Sequence, residues 1–159
     1  MLALLAEAAE WTAARGHPNW PARFSERLVA RGVRDGELFV AEIDRSLVAT
    51  VTLQWSDVFF WGDVGGDATA GYIHRLAVRR AHGGVGLGER LLDWVDDRIR
   101  ARDRTRLRLD VVTSNGPLRH YYERAGFGLC RDVEGDATHP DGAPWHWRTS
   151  LYERPVRDG

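Results

Sequence analysis

Residues 71–92 read GYIHRLAVRRAHGGVGLGERLL. The first part, 72–78, is apolar enough to predict a strand. Arg79 and Arg80 make a basic turn, and Gly83, Gly84, Gly86 and Gly88 follow. The segment leaves as a helix with Leu91, Leu92, Val95 and Ile99 on its apolar face. Glycines let backbone come close to an anion, and the first N–H groups of a helix have no partner of their own. With the helix dipole they form a ready phosphate site. A phosphate-bearing ligand is therefore expected between residues 79 and 89.

Outward from this unit, residues 2–14 predict an amphipathic helix, stopped by Gly16. Residues 17–21, HPNWP, read as an irregular link, and 22–31 as a second short helix. Residues 37–43 and 47–55 alternate well enough for a hairpin. Residues 56–71 read as a loop whose Phe59, Phe60 and Trp61 fit either a pocket lining or a plug at the sheet end. Beyond the central unit, 107–112 predicts a strand, 117–125 a helix and 127–132 a strand. A polar loop over 133–144 and a last strand over 145–152 follow. The order α-α-β-β-β-α-β-α-β-β predicts an α/β fold, a mixed sheet with helices packed on it.

The length, 159 residues, suits one domain over 1–159 with a proper core. A net charge of −1 gives no general pull towards nucleic acid or an anionic membrane. All 22 basic residues are arginine. Cys130 is the sole cysteine, which excludes an internal disulfide and a cysteine zinc cluster and fits a cytoplasmic location. The start, MLALLAEAAEW, lacks the basic flank and long apolar run of a signal peptide, and no stretch approaches the length of a membrane span. The histidines show no metal-site spacing, and no metal is expected. Arginines at 98, 100, 102, 104, 106 and 108 could meet a phosphate or RNA. Interleaved aspartates favour a solvated face, so nucleic acid is not an expected partner.

Three kinds of phosphate loop compete for 83–88. A P-loop needs lysine followed by Ser or Thr, and here Glu89 follows Gly88. A dinucleotide fold needs G-x-G-x-x-G within a βαβ unit, and here G-x-G-x-G follows a hairpin. The third is the loop of the GCN5-related N-acetyltransferases (GNAT), which the chain resembles. Leu76-Ala77-Val78 is similar to that family's small apolar triplet. Gly86 and Gly88 stand at the last small positions of its R/Q-x-x-G-x-G/A loop. Downstream, Asn115, Tyr122 and Gly126-Phe127 resemble its N-x6-Y-x3-G-F segment. One position departs: Gly83 stands where the family usually has Arg or Gln.

The resemblance implies a GNAT-like fold with a central, mostly antiparallel sheet of about six to seven strands and about four helices. It implies direct acetyl transfer from acetyl-coenzyme A to a primary amine, with no covalent enzyme intermediate. Leu76, Ala77 and Val78 would pair with the pantetheine amides as an added strand does. The amides of Gly84, Val85, Gly86, Leu87, Gly88 and Glu89 would hold the pyrophosphate. Arg79 or Arg80 would supply the charge missing at Gly83. Asn115 would touch the coenzyme or cap a helix.

Tyr122 would be the general acid for the departing thiolate. Tyr121 is read as a packing residue. His74, on the strand face of Leu76 and Val78, would be the general base or a structural histidine, with Asp63, Glu42 or water as substitutes. A small-molecule amine is the first expectation for the acceptor and a peptide amine the second. It would enter between the first two helices and the 56–71 loop. Family members form dimers, and the exposed-looking aromatics fit a homodimer interface too. Two readings compete: another acyl donor, such as a longer acyl-coenzyme A or an aminoacyl-tRNA, and a coenzyme-binding module without catalysis.

Overall fold

Helices α1 (Leu2–Ala13) and α2 (Glu26–Arg34) precede a hairpin of β1 (Leu38–Ile43) and β2 (Ser46–Gln54) in the computed structural model. A short helix α3 (Val58–Trp61) and a 3-10 turn (Gly62–Gly66) lead into β3 (Ala70–Val78). Then come α4 (Leu87–Arg100), β4 (Arg106–Val112), α5 (Gly116–Arg124), β5 (Gly128–Thr138) and β6 (Pro144–Pro155). The structure describes residues 1–17, 20, 21, 23–138 and 144–157. Pro18 and Asn19 of the expected link, Ala22 at the expected helix start, and His139 with the tip of the expected polar loop lie outside them. No helix among the described residues is long and apolar enough to cross a membrane.

The six strands form one mixed sheet in the order β1-β2-β3-β4-β6-β5. Every neighbouring pair is antiparallel except β3 and β4. One face carries Val51, Leu53, Ile73, Leu107 and Leu109 against Leu92, Val95 and Ile99 of α4. All are essentially closed to solvent, each contributing about 1.5–3 kcal/mol. On the other face Leu4 and Leu5 of α1 cover Ala77.

Three local expectations need correction. The second helix runs Glu26–Arg34, because Ser25 caps it by accepting the Leu28 N–H at 3.2 Å. It continues through Gly32, where an added Cβ would sit 3.1 Å from Leu38 Cβ; the glycine lets α2 lie close on β1. The polar run from 133 is strand, not loop, as far as Thr138, paired along β6. There Gly135 lies under the Trp147 ring, 2.7 Å from where its Cβ would be. The expected 56–71 loop holds α3, whose N-cap is Asp57, accepting the Phe60 N–H at 3.3 Å.

Two irregularities position the site. Parallel pairing of β3 with β4 runs from Ala70↔Arg106 to Ile73↔Leu109 and stops there. From His74 onward the β4-facing edge of β3 has no strand partner among the described residues. On the opposite edge the β2 register shifts between Thr50 and Thr52. Facing that shift, Arg75 takes φ +52°, a left-handed conformation rare for an arginine.

Candidate active site

The unpaired end of β3 runs into the glycine loop, and the backbone there needs glycine. Gly84 and Gly86 have φ of +79° and +78°, and Gly86 is the N-cap of α4 with no side-chain cap of its own. The first amides of α4 are thus left open. Gly88 serves differently: a Cβ there would meet the Tyr121 hydroxyl at 2.6 Å. A cleft of about 490 Å³ opens over this helix start. Leu76, Val78, Arg80, Gly84, Asn115 and Tyr121 are among its walls, with Trp11 of α1 opposite.

Most of the expected ligand-holding residues meet there. Leu76, Val78, Gly83, Gly84, Gly86, Leu87, Gly88, Glu89 and Asn115 all line the cleft. Asn115 also caps α5, accepting the Leu118 N–H at 3.1 Å, as one of its two expected roles requires. Three expected residues stand elsewhere. Arg79 turns away, donating to Glu7 at 2.8 Å and to the Leu47 carbonyl at 2.9 Å. Ala77 faces α1, and Val85 points outward at 72% exposure. Arg80 and Arg15 both line the cleft, and Arg80 is the one beside the glycine loop. It lies over Trp11, 4.0 Å from the ring centre, and its Nη2 is 3.1 Å from where a Gly83 Cβ would be. Its guanidinium thus occupies the space left by the missing side chain at position 83.

The two neighbouring tyrosines divide. Tyr122 sits in the main core at 6% exposure, ring to ring with Phe127 at 5.5 Å. Burial pushes its phenol well above the ordinary value, and Tyr121 and Asp110 add to the rise. Tyr121 lines the cleft and feels Glu89, at the α4 start. Its hydroxyl lies beside Gly88. Of the two, Tyr121 is in the cleft wall, and Tyr122, the expected acid, is in the core and not among the cleft's lining residues.

Where β3 and β4 part, a cluster absent from the sequence reading assembles. His74 places Nδ1 3.0 Å from Asp110 of β4 and Nε2 3.4 Å from Asp57 at the start of α3. Burial alone would lower the imidazole pKa, but the Asp110 hydrogen bond and both carboxylates outweigh it, and His74 titrates above 6.5. Burial raises Asp57 against the pull of His74. Their ligand atoms lie within 4.8 Å of one another, the one such group among the described residues. Nδ1 pairs with Asp110, while the Asp57 oxygen that Nε2 approaches, Oδ2, is buried without a hydrogen-bond partner.

Glu42 is exposed on β1 and Asp63 on the 3-10 turn, neither in this cluster. Asp57 and Asp110 carried no motif signal, since only the β3–β4 register and the turn into α3 bring them to His74. The aromatic loop also divides: Trp61 is buried on Tyr72, and Phe60 stands 6.3 Å from His74 beside Trp147.

A second groove, about 370 Å³, lies between α2 and the sheet, lined among others by Leu28, Thr52, Gln54 and Arg75. Residues 75 and 76 are consecutive in β3 and wall different cavities. The arginine stripe is absorbed by the fold. Arg108 pairs with Asp67 and Glu153, Arg104 donates to backbone carbonyls, and Arg98 and Arg102 lie over Trp94 and Trp55.

The family model of the acetyltransferase (GNAT) family matches residues 3–127. The chain is 36% identical over 132 residues to the uncharacterized N-acetyltransferase YesJ of Bacillus subtilis strain 168, covering 78% of this chain and 72% of that protein. It is 30% identical over 103 residues to the S-(2-succino)cysteine N-acetyltransferase of the same organism, covering 63% of this chain and 59% of that one. Its fold matches a GNAT-family acetyltransferase from Listeria monocytogenes 4b F2365 with a TM-score of 0.73 at 22% identity, over 97% and 86% of the two chains. The open helix start, the parted strands and these likenesses agree, and the chain belongs to the GNAT family of N-acetyltransferases.

Proposed function

We propose that residues 1–159 form one acyltransferase domain that moves the acetyl group of acetyl-coenzyme A directly to the primary amine of a small molecule. The observation that carries this is the cleft over the glycine loop and the uncapped start of α4, at the end of the strand that also holds His74. The donor pyrophosphate would accept N–H bonds from the loop and the α4 start, with Arg80 adding charge. The pantetheine would lie along the free edge of β3 at Leu76 and Val78. The groove volume fits a small ligand. The relative named for S-(2-succino)cysteine, a cysteine derivative, supports a small acceptor. A cytoplasmic protein is the setting this donor suits.

In the reaction the amine nitrogen attacks the thioester carbonyl carbon, and its proton passes to His74, backed by Asp57 and Asp110. A backbone N–H near Val78 stabilises the oxyanion. The C–S bond then breaks, and Tyr122 gives the thiolate a proton, leaving the amide and free coenzyme. As a phenol, Tyr122 is protonated at neutral pH and so carries the proton this step needs.

The test is calorimetric titration with acetyl-coenzyme A beside Gly86→Glu, followed by thiol release over an amine panel. Micromolar binding lost in the variant, with amine-dependent thiol release, supports the proposal. Binding without release from any amine supports a coenzyme-binding module instead.

A further inference from the structure

The groove beside the bulge is more than a passage for an amine. Arg75 projects into it from a left-handed backbone, a strained conformation that costs on the order of 1–3 kcal/mol and is kept where the surroundings impose it, often at sites. Its Nε is buried and bonded to nothing, and Arg75 makes no ion pair or hydrogen bond with any described residue. Thr52 lines the same groove at 2% exposure, and its hydroxyl is buried without a partner. Unmet buried donors are costly, and two on one wall point to a ligand that completes them.

The charges of the groove say which ligand. Its acid, Glu37, accepts from Gln54 at 2.6 Å through one oxygen, and its charge and that of Asp110 reach Arg75 without forming an ion pair. Of its arginines, Arg31 is held by Asp35 at 3.3 Å, while Arg27 at the rim and Arg75 inside have no ion-pair partner among the described residues. The free donors are a guanidinium and a hydroxyl, the pair that binds a carboxylate. Thr52 is the Cα partner of His74 across the β2–β3 ladder, and Arg75 follows His74 in the chain. A carboxylate held there sits within a few bonds of an amine facing the His74 cluster.

We infer that the acceptor carries a carboxylate as well as its amine, an amino acid being the simplest member, and that Arg75 and Thr52 hold that carboxylate in the groove. This rests on the acyl transfer proposed for the same site. Guanidinium and hydroxyl fix the acceptor by its acid end, so that the amine reaches the thioester from the β3 side. Arg75 and Thr52 are specificity residues and take no part in the proton transfers.

The test compares amino acids with their amides and with the amines left on decarboxylation. Acetyl transfer is read as kcat/KM, and binding by calorimetry with the coenzyme-loaded protein. The free acids are expected to be preferred by about 10- to 100-fold, the worth of one charge-assisted pair. Arg75→Asn, whose side chain tolerates the left-handed backbone, reduces that preference to within about threefold. Thr52→Val, which keeps the strand shape, reduces it in part. Both leave acetyl-coenzyme A binding unchanged.

Amides or decarboxylated amines used as well as the acids would overturn the inference, as would a preference unchanged in Arg75→Asn and Thr52→Val. If no compound is acetylated, the calorimetry decides: acids bound no more tightly than amides sink the inference. Failure of acetyl-coenzyme A to bind sinks the acyl-transfer proposal instead. The two failures therefore read out separately.

Discussion

His74 shows how a single side chain is set by what the fold brings to it. Two carboxylates 3.0 and 3.4 Å away raise its pKa in the folded protein above the ordinary 6.5. A group raised in this way stabilises the fold fully below the unfolded value, and that stability is lost as pH rises through the folded value. The stability gap between the parent protein and His74→Gln, read by urea unfolding, is therefore expected to be widest below about pH 6.5 and to close above it. Activity runs the other way, because the base is the neutral ring. The kcat/KM profile should rise through a midpoint above 6.5. Asp110→Asn, which removes the hydrogen-bonded carboxylate behind that rise, should move the midpoint down. A midpoint that stays in place would assign the base elsewhere. Tyr122→Phe keeps the ring packing on Phe127 and deletes the proton, so kcat should fall about 10²-fold or more with little change in unfolding midpoint. The equivalent Tyr121→Phe change should alter mainly the donor KM, since its hydroxyl lies at Gly88.

At the scale of elements, the strand–loop–helix was legible because glycine positions dictate backbone. Gly84 and Gly86 were read from spacing alone, and both hold φ near +80° where the cleft opens. Gly88 has a side-chain reason instead, and Gly88→Ala drives a methyl into the Tyr121 hydroxyl. Acetyl-coenzyme A should bind that variant about tenfold or more weakly by calorimetry, and Gly88→Ala with Tyr121→Phe should recover part of the loss. No recovery would mean the methyl blocks the donor itself. Elements set by long-range pairing were not legible. The 133–138 run looked like a loop because its residues are polar and include Gly135. The strand exists because β6 pairs with it and Trp147 lies on that glycine. Asp57 and Asp110 stood unmarked for the same reason: one is a helix cap and the other a strand residue, and only the tertiary fold makes them a cluster. Arg79 and Arg80 were equivalent as sequence. Glu7 separates them by binding the first side chain and the second residue's backbone N–H.

Across the whole molecule, the donor helix must be held against the sheet while one of its ends stays open for ligand. A buried ion pair does part of that holding. Arg154 of β6 reaches Asp96 of α4 at 2.8 Å, both 2% exposed as side chains, and lies over Phe127 with 4.8 Å to the ring centre. Forming such a pair adds little over an apolar contact, but breaking it strands a buried charge. Asp96→Ala should therefore cost about 3–5 kcal/mol in urea unfolding. A loss below about 1 kcal/mol would mean that water reaches Arg154 once the partner is gone. Donor binding offsets the loss by mass action, because the ligand meets the folded state alone. Acetyl-coenzyme A at 100 times its dissociation constant restores about 2.7 kcal/mol. The increment should be the same in the parent and in Asp96→Ala, since the pair lies under α4 and outside the cleft. An increment that shrinks in the variant would show that this pair also sets the helix start on which the phosphate site depends.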